Sequence, residues 1–163
     1  DPVKDFSRAW KAGGKETRST YRVGSTTVTR TVLASAGDDA VVIHLLADQP
    51  GALSFRVSIP ADGVKREDRR QLIATPETGP ASHVWVIPFE SDVEPDGNGV
   101  TVRGEGEAII VWSFSPDKTG AAELAGTWKR LAERHDPGHN PPDVTKIWHG
   151  VAEDHRKSPE NSP

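Results

Sequence analysis

Thr29-Arg30-Thr31-Val32-Leu33-Ala34-Ser35, then Asp39-Ala40-Val41-Val42-Ile43-His44-Leu45, then Ala47-Asp48-Gln49-Pro50-Gly51-Ala52-Leu53-Ser54-Phe55, decide the fold class of this 163-residue chain. They read as three short strands in succession, each turned back by a small polar loop. The first is enriched in β-branched residues, which suit a pleated, half-buried surface. Ala40 to Leu46 is nearly continuously apolar, as expected of a central strand covered on both faces. Asp48-Gln49-Pro50-Gly51 places Pro and Gly where a type II turn wants them. Beyond it Leu53, Phe55, Val57 and Ile59 alternate with Ser54, Arg56 and Ser58, the pattern of a strand with one face in a core.

The same reading extends in both directions. Residues 1–15 end in Gly13-Gly14 and read as an edge segment or arm. Thr17 to Val23 alternates well, and Gly24-Ser25 forms a tight hairpin turn into Thr27 to Ala34. From Pro60 to Ser82 the pattern dissolves into charge, Gly and Pro around Leu72-Ile73-Ala74, as a long loop or a poorly formed strand pair. Order returns at His83 to Phe89, at Val100 to Arg103 after the turn Asp96-Gly97-Asn98-Gly99, and at Ala108 to Ser115. Short strands at this turn spacing predict a mainly β chain, an antiparallel β-sandwich. Its core should include Val41, Ile43, Leu45, Leu53, Phe55, Val57, Trp112 and Phe114. After Ser115-Pro116, a cap-like pair, Ala121, Leu124, Ala125, Trp128, Leu131 and Ala132 fall on one helical stripe. Pro137-Gly138 and Pro141-Pro142 break it. Asp143 then caps a second helix with Val144, Ile147, Trp148 and Val151 on one face. The expected divisions are an arm (1–15), a sandwich (16–115), a helical linker-like segment (116–156) and a disordered tail (157–163).

Composition excludes several function classes. The chain carries 20 Lys and Arg against 24 Asp and Glu, for a formal charge of -4. Its densest basic run, Lys65-Arg66 with Arg69-Arg70, is cut by Glu67-Asp68, so a nucleic-acid role is not expected. No apolar run is long enough to span a bilayer as a helix. There is no cysteine, hence no disulfide or thiolate chemistry. A hydrophobic content of 34% and a mean hydropathy of -0.56 predict solvated ends around one core. The chain begins at Asp1 and has no methionine, as expected of a processed or excised segment, with secretion or a periplasmic location as the accompanying expectation.

Candidate sites are of two kinds. Carbohydrate sites offer flat aromatic faces flanked by groups that meet hydroxyls. By alternation His83, Trp85, Ile87 and Phe89 share one sheet face, and Ala108, Ile110, Trp112 and Phe114 another. Trp85 or Trp112 could serve as a sugar platform, although tryptophans in apolar strands more commonly fill a core. Trp10, in a polar arm, is the third candidate, while Trp128 and Trp148 read as packing residues. The second kind is a polar cluster, His135, Asp136, His139, His149, Asp154 and His155. Of these, His135, His139 and His155 are the candidate metal ligands, but Pro137 and Gly138 prevent a regular helix from aligning the first two. Surface histidines in an interhelical loop are the plainer account. No nucleophile elbow, phosphate loop or dinucleotide fingerprint is present. The pairs Glu67-Asp68 and Glu105 with Glu107 carry no sign of facing each other across a cleft, as glycosidase carboxylates must. No cofactor is implied.

Over Tyr21 to Ile59 these phrases resemble the β-sandwich domain that precedes the catalytic barrel in glycoside hydrolase family 95, the α-L-fucosidase-type enzymes. Asp96 to Val111 and the helical stretch Trp128 to Arg156 resemble that family's strand pair and linker. Arg134-His135 and Asp154-His155 match its linker pairs, which implies packing rather than chemistry. The resemblance implies a reduced, supersandwich-like fold followed by two C-terminal helices, in a carbohydrate context. The catalytic barrel has no counterpart in these residues, so no catalytic residue carries over. Three functions follow: a non-catalytic accessory module that binds oligosaccharide, a structural domain docking a partner protein through its C-terminal helices, or a small metal-dependent hydrolase.

Overall fold

The computed structural model describes residues 3–10, 16–35, 37–77, 80–115 and 126–157. Among them are eleven strands: β1 (Val3–Trp10), β2 (Glu16–Val23), β3 (Thr26–Ser35), β4 (Ala40–Ala47), β5 (Leu53–Ser58), β6 (Val64–Arg66), β7 (Gln71–Ala74), β8 (Ala81–Pro88), β9 (Val93–Asp96), β10 (Gly99–Glu105) and β11 (Glu107–Ser115). Two helices follow, α1 (Thr127–His135) and α2 (Val144–Lys157). One sheet has eight strands in the order β1-β2-β3-β4-β11-β8-β7-β6, and the other has three, β5-β10-β9. All pairings are antiparallel. The mainly β, antiparallel sandwich with two C-terminal helices is therefore the fold.

The local signals work as the residues require. Gly24-Ser25 is the whole loop between the paired residues Val23 and Thr26, and Gly24 takes φ 60°. The Ala52 N–H bonds the Gln49 carbonyl at 3.3 Å, with Gly51 at φ 72° as a type II turn demands. Asp143 caps α2, its Oδ1 accepting from the Thr145 N–H at 2.9 Å and the Lys146 N–H at 3.3 Å.

The large sheet is the middle layer. Its face toward the small sheet carries Val28, Leu45, Ala47, Leu72, Val84, Val86, Ala108 and Ile110, which pack with Leu53, Val93, Val100 and Val102. Its other face carries Leu33, Val42, Trp85, Ile87, Ile109 and Val111 against Leu131 of α1 and Ile147, Trp148 and Val151 of α2. Because β8 is buried at every position and β11 at Ala108 to Val111, their apolar runs do not alternate. Each large side chain so covered contributes about 1.5–3 kcal/mol.

Several expectations need correction. Leu45 and Leu53 are buried, and Val41, Ile43, Phe55 and Val57 are half-buried, but Trp112 is 41% and Phe114 53% exposed. The small sheet has only three strands, and its cover ends before that end of β11. Of the two readings for Pro60 to Ser82, the strand pair holds, as the short β6–β7 hairpin at a sheet edge. At the opposite edge Val3–Trp10 pair with β2, in keeping with the edge-segment alternative for the first residues. The expected helix start at Ser115-Pro116 and the tail after Lys157 lie outside the described residues, apart from Ser115 itself, which ends β11.

Buried polar contacts pin the layers. The Glu105 carboxylate accepts from the Ser91 N–H and hydroxyl, both at 2.8 Å, the Glu90 N–H at 3.1 Å and the Gly106 N–H at 2.9 Å. Burial opposes its ionisation, yet these donors, led by the Ser91 N–H, hold it below the usual carboxylate range. Arg134 of α1 bridges buried Asp38 in the β3–β4 turn, at 3.3 Å, and Asp154 of α2, at 2.7 Å. At the crossing of the two helices a Cβ on Gly150 would collide with the His135 ring, so the approach needs glycine.

Candidate functional site

The open part of the sandwich face is seen along one row of lateral neighbours. Leu72 pairs with Val84, Val84 with Trp112, Trp112 with Val41, and Val41 with Ala34. Leu72 and Val84 are buried, Trp112 is 41% exposed, Val41 is half-buried and Ala34 is exposed. One step further along β11, on the same face, stands Phe114. The two rings have centroids 6.0 Å apart and planes inclined at 48°, a shallow V rather than one flat plate.

Phe114 pairs across the sheet with Ser82, and Ser82 with Ala74. Both line a cleft of about 820 Å³ whose other walls come from Ile59 to Gly63 and from Thr75, Pro76, Glu77 and Pro80. The cleft brings the Asp62 and Glu77 carboxylates and the Thr75 hydroxyl to the same end of the sheet as the aromatic pair. Apolar rings beside acceptors and hydroxyls can take up a ligand with an apolar face and hydroxyl edges.

The remaining candidates are placed elsewhere. Trp85 is only 3% exposed and stacks on His83 with centroids 3.7 Å apart, so it fills the core beneath the helices. Trp10 pairs through its backbone with Thr17, and its side chain is outside the described ones. His135 Nε2 lies 4.0 Å from Asp154 Oδ2, His139 Nδ1 2.8 Å from Asp136 Oδ1, and His155 Nε2 3.8 Å from Glu16 Oε2. The three imidazoles thus face three different carboxylates. Among the described residues no group of three His, Asp or Glu side chains converges as a metal site would.

Two buried histidines were not singled out by the sequence reading. His44 stacks on Trp148 of α2 at 4.2 Å and 16°, with Nε2 2.6 Å from Glu107 Oε1. Burial lowers its pKa, against the opposing pull of Glu107. His83 is fully buried, its Nε2 3.0 Å from Gln71 Oε1. Burial pushes it down to about 4, opposed by the Asp68 carboxylate. The available signal was a lone imidazole inside an apolar strand, which must find both a partner and a packing surface. Glu105 and Glu107 are thereby both engaged in the fold, and Asp68 caps its own turn through the Arg70 N–H at 2.7 Å.

No family model matches the chain, and no curated protein matches it in sequence. Among solved structures it is similar to one described as "Putative kojibiose phosphorylase from human microbiome", at 14% identity and a TM-score of 0.45, over 98% of this chain and 24% of that one. The chain spans about a quarter of that protein's length. A likeness at this level bears on neither fold nor activity. No described helix is long and apolar enough to cross a membrane.

Proposed function

We propose that this chain is a non-catalytic, carbohydrate-binding β-sandwich module, akin to the domain that precedes the barrel in family 95 fucosidase-type enzymes. Its ligand surface in this reading is the open aromatic face. The observation that carries the proposal is the exposure of Trp112 and Phe114 side by side on the sheet face that otherwise carries the buried Val84, Val86, Ala108 and Ile110. Leaving about half of each side chain in water forgoes roughly 1 kcal/mol each, and adjacent exposed apolar groups commonly mark an interaction surface. The neighbouring cleft, with Asp62, Glu77 and Thr75, supports a sugar as the occupant. The engagement of Glu105 and Glu107 in the fold supports a non-catalytic role.

A glycan array with fucosylated, galactosylated and plant cell-wall oligosaccharides tests the reading. Selective binding is expected, weakened at least roughly tenfold by Trp112→Ala or Phe114→Ala with little change in Tm. A blank array, or binding indifferent to both variants, would overturn it. The blank would favour a docking surface for a partner domain on the same face, since the α2 stripe of Ile147, Trp148 and Val151 is already covered by the protein's own sheet.

A further inference from the structure

Away from the sheet, α1 and the loop that follows it enclose a second hollow of about 470 Å³, with Trp128, Lys129 and Glu133 on the helix side and His139 and Asn140 on the loop side. That volume is within the range of small-molecule sites.

Part of its wall is held in place. Trp128 is half-buried and packs against the core beneath the helices while also lining the hollow, so the indole is held in place with a surface still available. The loop is tied down by Asp136, whose buried carboxylate accepts from the Asp143 N–H at 2.8 Å and from Lys146 Nζ at 3.3 Å. His139 Nδ1, 2.8 Å from Asp136 Oδ1, is oriented by the same carboxylate, which leaves Nε2 for a ligand hydroxyl. A site whose side chains are already ordered by packing and secondary hydrogen bonds loses little entropy on binding.

The chemistry around the indole is mixed and balanced. Lys129 lies 3.7 Å from Glu133, and the Asn140 amide offers both donor and acceptor. Neither sign of charge dominates, which disfavours a strongly anionic or cationic ligand. A hydrophobic plate ringed by alternating donors and acceptors suits a pyranose, with its apolar face and its edge of hydroxyls.

We infer that this hollow is a second binding site, taking one neutral terminal sugar residue stacked on Trp128. It is independent of the aromatic face and stands or falls separately.

The test is an NMR titration of the indole N–H signals, assigned by single Trp→Phe variants, with maltose, cellobiose and N,N′-diacetylchitobiose to about 20 mM, a range suited to millimolar affinities. Glucuronate and glucosamine serve as charged comparisons. The expected result is a saturable shift of the Trp128 signal with at least one neutral disaccharide. Asn140→Ala and His139→Ala, both at exposed loop positions, should weaken it roughly five- to tenfold each without loss of fold. Trp128→Phe should abolish the shifting signal, which fixes its assignment, and the charged sugars should shift the Trp128 signal no more strongly than the neutral ones. A Trp128 signal unmoved by every neutral sugar would overturn the site, whatever Trp112 does. So would a shift indifferent to both loop variants, or tighter binding of a charged sugar. Shifts at Trp112 alone would leave the aromatic face standing and remove only this inference.

Discussion

On one face of the eight-stranded sheet, two helices seal Trp85 almost completely; on the other, three strands leave Trp112 and Phe114 open to solvent. The residues are alike, and Trp85 even pairs across the ladder with Val111, next to Trp112. What differs is the width of the cover. The helices meet the sheet with a continuous stripe of Leu131, Ile147, Trp148 and Val151 and close its margins with Arg134–Asp38 and the His44–Trp148 stack. The small sheet spans only β5, β10 and β9. Tryptophans on opposite faces of one sheet therefore acquire opposite environments, one sealed and one exposed.

The contrast can be broken most strongly at its sealed side. Trp85→Ala should lower the unfolding free energy by about 3–5 kcal/mol, the cost of emptying a core aromatic site, read by urea denaturation. Glu105→Ala leaves four donor groups without their carboxylate and should cost about 3 kcal/mol by the same measurement.

Acid should act on the sealed side as well. His83 has a folded pKa of about 4 against an unfolded value of about 6.5, so the unfolded chain binds the proton first. Its contribution is fully present above pH 6.5 or so and is lost as pH falls toward 4, amounting to about 3 kcal/mol. The lowered values at His44 and His135 act in the same direction. Glu105, also lowered, adds a further loss as pH falls below its unfolded value of about 4.3. Denaturation midpoints measured from pH 7.5 to 4 should fall steeply, and His83→Gln should flatten that slope. An equal slope in the variant would contradict the assignment.

Gly150→Ala sharpens the comparison at the helix crossing. Alanine favours a helix by about 1 kcal/mol over glycine, but here the methyl would collide with the His135 ring. A net loss of about 1–2 kcal/mol is expected from such overpacking, measured as a lower Tm. The smallest effect belongs to the open side, where Trp112→Ala should change stability by less than about 1 kcal/mol while reducing glycan binding.

Much of this contrast was legible in the sequence, and its decisive part was not. The turn residues at Gly24-Ser25 and Pro50-Gly51 fixed strand ends because turn chemistry is local. Period-two alternation correctly put Trp85 with Ile87 on one face and Trp112 with Ile110 on the other. Whether a face is covered depends on how many strands of a distant sheet reach it, and nothing local to β11 records that. The expected burial of Trp112 and Phe114 failed for this reason. The β6–β7 hairpin was legible only as one of two alternatives, because a three-residue edge strand flanked by Glu67 to Arg70 leaves a short pattern. Trp128 was read as a packing residue from its helical spacing, and it does pack against the core beneath the helices.

The central claim, an accessible and ligand-ready aromatic face opposite a sealed one, is tested most directly by photochemical dye labelling of the tryptophans read by NMR, with and without a bound oligosaccharide from the array. The account predicts a strong Trp112 signal that vanishes in Trp112→Phe and is quenched by the sugar, with Trp85 and Trp148 silent throughout. A silent Trp112, or one whose signal the bound sugar leaves untouched, would contradict it.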